Sequence, residues 1–396
     1  MSNRLVELQL FQLRLPFKRK FAHAAAQRSS TDTVVAAALL ADGTVGYGEG
    51  LPRRYVTGET VESVLFNISD TLARHLEKVE PKTFADLLDL ADNLPFTNEQ
   101  GRIINSARCC VELALLDAYG KYFKSGPAQI AGWLGYGVFF GPGSIDKVRV
   151  SGVLDGSEPR RLARTLRRMR WFGLRDFKLK LGCEYDEANL ALVGRRLSRA
   201  LQRDKATLRV DANGGWDVDT AVAMSEELAQ WGVYCMEQPL AADDKAHWSV
   251  LADLTQVPLM ADESLISFED AEFLAQNDLV DMFNIRISKN GGLLAAMHLA
   301  EIASKYSRQI QLGAMVGESG ILGAAGRQFL QMVPQVVFTE ICYSTYLLKK
   351  DIVRQDMRFG YGGRLRPLER WGLGMEISRR DLGKYLVAQP RKINLV

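Results

Sequence analysis

The chain has 396 residues, more than one ordinary core holds, so two domains are expected. Its composition is that of a globular protein, 47% hydrophobic and 24% charged, and the net charge of +3 comes from bases mixed among 47 acids, which argues against a nucleic-acid partner. Five cysteines (Cys109, Cys110, Cys183, Cys235 and Cys342), with no Cys-x-x-Cys spacing, exclude a disulfide framework or a zinc knuckle. No apolar run approaches the roughly 18 residues that span a bilayer. The first ten residues alternate like a strand, with no signal-peptide apolar core, and a cytoplasmic protein is expected.

Residues 5–14 and 31–40 read as strands, and Ala41-Asp-Gly-Thr44 is a turn leading into Val45-Gly-Tyr-Gly-Glu-Gly50. Between the first two strands lies a basic segment, Pro16 to Arg28, read as a mobile loop. A second basic loop, Leu51 to Gly58, follows the sheet. Residues 59–124 read as helical, and Asn105 to Tyr119 is apolar enough to be a buried helix. The resulting α+β domain spans residues 1–145, with Gly135 to Gly143 as its boundary loop.

A different rhythm then begins. Ser157 is a candidate cap for a helix with apolar positions Leu162, Leu166, Met169 and Phe172. Its other face bears six arginines between Arg160 and Arg170, read as a solvated outer wall. Strand candidates recur at 148–153, 176–180, 207–211, 234–237, 258–261, 281–285, 309–312 and 336–339, with helical patterns between them. The alternation predicts an α/β (β/α)₈ barrel over 146–340, with 341–396 returning to the capping domain.

Charged residues close these strands. Lys178 and Lys180 sit in Arg175-Asp-Phe-Lys-Leu-Lys-Leu-Gly182 and face the same way, because strand residues two apart share a face. Asp211, Glu237 and Asp262 end three successive strands 26 and 25 residues apart, and Lys289 follows 27 residues later. Three convergent carboxylates with no His or Cys among them suit Mg²⁺, with Mn²⁺ as the other candidate. Asn213 and Glu263 offer further oxygens. Gly291-Gly292, at a helix start, places backbone amides where they can meet an anion. None of the four histidines ends a barrel strand, so lysine chemistry is favoured over a His–Asp base. A carboxylate substrate chelated to the metal would lose its α-proton to a lysine, and racemisation, elimination or cycloisomerisation would follow.

As a set these residues resemble the enolase superfamily, in its mandelate racemase and muconate-lactonizing subdivision. The resemblance runs over nearly the whole chain and implies a (β/α)₈ barrel capped by the N-terminal region and the C-terminal tail. It assigns Lys180 as principal general base, Lys178 as the residue that tunes it, and Lys289, before Asn290-Gly-Gly292, as the base on the sixth strand. Asp211, Glu237 and Asp262 match the metal ligands. Glu318, in Leu312-Gly-Ala-Met-Val-Gly-Glu-Ser-Gly-Ile321, would lie near the substrate carboxylate or its enediolate.

Lysines in both positions are similar to the muconate cycloisomerase, o-succinylbenzoate synthase, N-acylamino-acid racemase and dipeptide epimerase group. The stretch after the eighth strand, Glu340-Ile-Cys-Tyr-Ser-Thr345, lacks the Asp-x-Asp with which dipeptide epimerases hold an ammonium group, and Tyr343 and Ser344 stand there instead. Arg19, His23, Arg28, Arg53, Arg54 and Tyr55 are cap-loop candidates for a second anionic or aromatic end of the substrate. The expected activity is racemisation or epimerisation of an amino-acid derivative, with a cycloisomerase or syn-dehydratase as the alternative. The expected partner is a small-molecule carboxylate, with no nucleic acid or membrane, and the family implies a homodimer or octamer. Residues 359–374 are longer than the usual return to the cap.

Overall fold

The computed structural model describes residues 2–23, 26–135, 145, 147–156, 158–182 and 184–395, without the side chains of 19–27 and 344. Ser157, most of the 135–143 boundary loop, Cys183 and the side chains of Arg19, His23 and Ser344 lie outside the described residues. The other four cysteines are buried free thiols.

Two sheets organise the chain. The capping sheet has the order β12-β1-β2-β3, built from β1 (Leu5–His23), β2 (Ala26–Leu40), β3 (Val45–Gly50) and β12 (Arg391–Asn394). All of its pairings are antiparallel, and β12 lies against β1 with Leu8 opposite Ile393. The segment read as a mobile loop is instead the outer half of a long hairpin. Its ladder resumes at Phe21 opposite Arg28, after a break in register beyond Pro16. Pro16 itself still pairs with Ser30, its carbonyl accepts from Lys349 N at 2.8 Å, and the register shifts just beyond it.

Helices α1 (Val61–Asn67), α2 (Phe84–Asp92), α3 (Asn105–Tyr122) and α4 (Pro127–Trp133) complete the cap. The helix read from Asn105 is α3, and residues 105 to 120 of it are all buried. It lies directly on β3 because Gly46, Gly48 and Gly50 share one face of that strand. A Cβ on any of them would come within 2.4 Å of an α3 backbone atom.

The second sheet holds eight strands in sequence order, every pair parallel. They are β4 (Gly152–Leu154), β5 (Asp176–Lys180), β6 (Thr207–Asp211), β7 (Met236–Glu237), β8 (Leu259–Ala261), β9 (Met282–Ile285), β10 (Gln309–Leu312) and β11 (Val336–Thr339). Val150 bridges to Thr339 in parallel, and the Ser151 N–H donates to the Thr339 carbonyl at 2.8 Å. These contacts bring the ends of the sheet together, and the fold is a (β/α)₈ barrel with an α+β cap.

The connecting helices are α5 (Pro159–Trp171), α6 (Asp186–Leu201), α7 (Val218–Gln230), α8 (Trp248–Leu254), α9 (Phe268–Gln276), α10 (Leu293–Lys305) and α11 (Gly320–Met332). The basic helix is α5. Leu162 and Leu166 are buried, Met169 is half-buried, and all six arginines face solvent. No described helix is long and apolar enough to cross a membrane.

The two domains are stitched together by buried polar groups. The Glu49 carboxylate of β3 accepts from Ser319 N (3.1 Å) and Ser319 Oγ (2.7 Å) at the start of α11, and from Thr33 Oγ1 at 3.0 Å. An anion at a helix N-terminus is favoured by the unpaired amides there. The β3–α3 contact is the tightest constraint in the cap. Gly48→Ala should lower unfolding free energy by about 1–3 kcal/mol, the usual range for overpacking, measured by denaturant titration.

Candidate active site

The charged strand-end residues singled out in the barrel stand at the C-terminal mouth, because the parallel ladder aligns the strand ends. Lys180 ends β5 opposite Asp211, which ends β6 opposite Glu237, which ends β7. Asp262 immediately follows β8. Lys289 stands four residues past the end of β9, and Glu340 directly follows β11. Asp211, Glu237, Asp262 and Lys289 are fully buried, and Lys178 and Glu340 nearly so.

The groups pair closely. Lys178 Nζ lies 2.8 Å from Glu340, 3.1 Å from both Glu237 oxygens and 3.3 Å from Asp211. Burial alone would lower its pKa, but Glu237, Glu340 and Asp211 outweigh that and raise it, so Lys178 is held as an ammonium. Lys180 Nζ donates to Asp211 Oδ2 at 3.2 Å and Asn213 Oδ1 at 2.7 Å. Asn213 adopts a left-handed backbone, φ +49°, which its short amide side chain tolerates. Burial opposes ionisation of Asp211, but Lys180 and Lys178 prevail and hold its pKa below the usual carboxylate range.

Across the mouth, Lys289 Nζ donates to Asp262 Oδ1 (3.0 Å), the Asp262 carbonyl (2.6 Å) and the Asn284 carbonyl (2.9 Å). Burial, and then the Arg286 guanidinium, push its pKa well below the usual lysine range. A lysine so placed gives up its proton readily, as a base must. Arg286 pairs with Asp262 and stands 3.9 Å from Glu237. Glu237 also accepts from Asn284 Nδ2 at 2.7 Å and Gln311 Nε2 at 3.2 Å. Burial and the neighbouring acids raise its pKa despite Lys178.

Five residues of this network escaped the sequence reading: Arg209, Asn284, Arg286, Gln311 and Glu340 in its role. A usable signal existed. Arg209 lies two residues before Asp211, so it shares that face of β6, by the same rule that pairs Lys178 with Lys180. Arg209 Nη2 donates to Glu340 at 3.2 Å and Ser151 Oγ at 3.1 Å, and its guanidinium lies 3.9 Å over the Phe338 ring. Asn284 interrupts the otherwise apolar β9, and Gln311 is a buried amide in β10.

The donors present fit a hard divalent cation. Asp211, Glu237 and Asp262 supply carboxylate oxygens from adjacent strands. Glu263 adds a buried Oε2 with no hydrogen-bond partner, and burial, with Asp211 and Glu237, raises its pKa to about 7. Among the described residues, no three acids, histidines or cysteines close a metal cluster by themselves. Lys178 and Arg286 stand between the carboxylates and balance them.

The remaining candidates fall elsewhere. Glu318, in the loop between β10 and α11, accepts from Met315 N at 2.6 Å and is buried, which with Glu49 raises its pKa to about 8. Arg53 is turned inward, donating to Thr31 Oγ1 (2.7 Å) and the Val316 carbonyl (2.8 Å), so it ties the cap to the Glu318 loop rather than facing open solvent. Arg54 and Tyr55 are exposed, with the Arg28 guanidinium carbon 5.8 Å from the Tyr55 ring centre. Tyr343 is half-buried, stacks near Phe359 and donates to the Val153 carbonyl at 3.4 Å. The Gly291-Gly292 amides were expected to offer an anion site. The anion at this helix start is internal: the Glu112 carboxylate of α3 accepts from Leu293 N and Leu294 N.

Comparison with known proteins bears on this arrangement. Residues 161–382 match the family described as enolase C-terminal domain-like. The chain is 27% identical to an N-succinyl-L-Arg/Lys racemase of Bacillus cereus, over 98% of this chain and 99% of that protein. It is 26% identical to an L-Ala-D/L-Glu epimerase of Clostridium acetobutylicum, over 78% and 82%. Among solved structures, a muconate lactonizing enzyme of Pseudomonas putida superposes with a TM-score of 0.78 at 27% identity, covering 96% of this chain and 99% of the other. The N-succinyl Arg/Lys racemase structure superposes at 0.83 with 24% identity, over 99% and 100%, and shows the same fold.

The Glu318 environment has a consequence for stability. Between the ordinary carboxylate value of 4.5 and about 8, the folded protein keeps a proton that the unfolded chain has lost. This contribution is complete below 4.5, falls as pH rises through that window, and is gone above about 8. Glu318→Gln should flatten the decline of melting temperature across the window, as calorimetry at a series of pH values would show.

Proposed function

The chain belongs to the enolase superfamily, in its mandelate racemase and muconate-lactonizing group, and is an enzyme; from that premise we propose that it abstracts the α-proton of a carboxylate substrate, most specifically racemising or epimerising an N-acylated amino acid. The observation that carries this reading is the placement of Lys180 and Lys289. They stand four strands apart in an eight-stranded barrel, on opposite flanks of the carboxylates from β6, β7 and β8. Two bases on opposite faces of one α-carbon are what inversion requires.

Asp211, Glu237 and Asp262 would hold Mg²⁺ or Mn²⁺, which when bound supplies positive charge that acidifies the α-carbon of the substrate carboxylate. Lys289, with its lowered pKa, takes a proton on one face, and Lys180 serves the other. Lys178 stays charged between Glu340, Glu237 and Asp211 and acts by its field rather than as a base. Glu318 retains a proton near neutral pH and can donate it in a hydrogen bond to negative charge developing on the substrate.

The acyl group is supported by the end of β11. The carboxylate there, Glu340, is already paired with Lys178 and Arg209, and Cys342, two residues on, is a buried thiol. A free substrate ammonium would find no uncommitted acid among these groups, which favours an amine masked by acylation. The relationship to the Bacillus cereus racemase over nearly all of both chains supports the same class. Exposed Arg54 and Tyr55, beside Arg28, suit an anionic acyl end such as succinyl. The alternative, ring closure as in the muconate enzymes, is supported by their structural likeness.

The test is deuterium uptake in D₂O with Mg²⁺ on N-succinyl-L-lysine, N-succinyl-L-arginine, L-Ala-L-Glu and cis,cis-muconate. Inversion of a succinylated amino acid is expected, together with loss of activity on chelation and recovery with Mg²⁺. Lys180→Ala and Lys289→Ala should each lower racemisation at least about 100-fold. Turnover of muconate with no α-exchange on the amino acids would replace this reading with the cycloisomerase.

A further inference from the structure

The loop that carries Lys289 is gripped from the cap. Three residues on one face of α3 reach it, at positions 105, 108 and 112, the i, i+3, i+7 spacing of a helix stripe. Asn105 Nδ2 donates to the carbonyl of Lys289 itself at 2.7 Å, and to the Ile266 carbonyl at 3.1 Å. Arg108 Nη1 donates to the Gly291 carbonyl at 2.6 Å. Glu112 Oε1 accepts from Leu293 N at 2.5 Å and Leu294 N at 3.2 Å, the first amides of α10.

Arg108 and Glu112 are a fully buried ion pair at 2.6 Å. The rest of the Arg108 guanidinium is bonded to the carbonyls of Ala91, Asp92 and Leu94 and lies over the Phe96 ring. Such a pair tolerates little displacement, because moving either partner strands a charge away from water. The loop is shaped to receive it. Gly292 has φ +130°, and a Cβ there would lie 2.4 Å from the Glu112 carboxylate. Lys180, by contrast, belongs to β5 itself and is held by the parallel ladder to β6.

We propose that Asn105, Arg108 and Glu112 are positioning residues for Lys289, fixing the reach of its ammonium from the cap, so that the cap governs proton transfer on one face of the substrate and not on the other. This rests on the reading of Lys180 and Lys289 as the two bases. In this role the cap is part of the catalytic geometry as well as a cover over the mouth.

The experiment compares Asn105→Ala and Glu112→Gln with Asp117→Asn. Asp117 is another buried acid of α3, but it accepts from Tyr47 N, Leu373 N and Lys121 and does not touch the Lys289 loop. The first readout needs no substrate: amide hydrogen exchange of the free protein, followed by mass spectrometry. Asn105→Ala and Glu112→Gln should speed exchange in residues 286–295 and leave 176–182 unchanged, whereas Asp117→Asn should not single out 286–295. Unaltered protection of 286–295 in both test variants overturns the proposal.

The second readout is α-deuterium uptake by N-succinyl-L-lysine and N-succinyl-D-lysine. The enantiomer whose uptake is abolished by Lys289→Ala should slow about tenfold or more in the test variants, and the other less than about threefold. Equal losses for both enantiomers, matched by Asp117→Asn, reduce the stripe to a merely structural role and overturn the proposal. If the wild-type protein exchanges neither enantiomer, the substrate reading fails, and the amide-exchange result alone decides whether the stripe holds the loop.

Discussion

The structure turns on charge brought out of water at the mouth of a barrel. Asp211, Glu237, Asp262, Glu263 and Glu340 crowd the ends of four strands, and isolated carboxylates in that setting would be prohibitive. Lys178, Lys180, Lys289, Arg209 and Arg286 oppose them. This balance decides which groups stay charged. Lys178 is surrounded by three acids and stays charged. Lys289 has its pKa pushed down, by burial first and then by the Arg286 guanidinium. Burial lowers both, and only around Lys178 do the acids outweigh it, so two lysines of identical chemistry are shifted in opposite directions.

The same balance reaches into the barrel interior. Arg209 is fully buried, with Phe338 under its guanidinium, and it anchors Glu340, which in turn anchors Lys178. Polar side chains replace part of the usual apolar filling of a barrel, and they are tolerable because each joins a chain of hydrogen bonds ending at the mouth. Glu318 stands apart, with one short bond from Met315 N and another acid, Glu49, nearby. Burial first, and then Glu49, raises its pKa to about 8, so it keeps a proton near neutral pH.

The cap is joined to this centre at two helix starts. Glu49 meets α11, beside Glu318, and Glu112 meets α10, beside Lys289. Each places a carboxyl group from the cap against unpaired amides of the barrel, where the helix dipole favours its charged form. Arg53 adds a third tie at the Glu318 loop. The relation of the domains is therefore set next to Glu318 and Lys289 rather than at a distant hinge.

Much of this was legible in the sequence. Four barrel strands, 176–180, 207–211, 309–312 and 336–339, fall where the apolar runs place them, and the spacing of Asp211, Glu237 and Asp262 reports the length of one strand–helix unit. These features are local and periodic, which is why a linear reading finds them. The hairpin beyond Pro16 was missed because its pairing is a backbone ladder that leaves no pattern in a run of Lys, Arg and Ala. The partners of each charge were beyond reach for another reason. Glu340 and Lys178 are 162 positions apart, and Glu112 and Leu293 are 181 apart; Arg286 is only three residues from Lys289, but its effect there needs the burial they share. Residue type and spacing determined which chemistry is present. Only the closing of the barrel and the docking of α3 on it decided which of those groups are paired, which are left reactive, and from which side each is held.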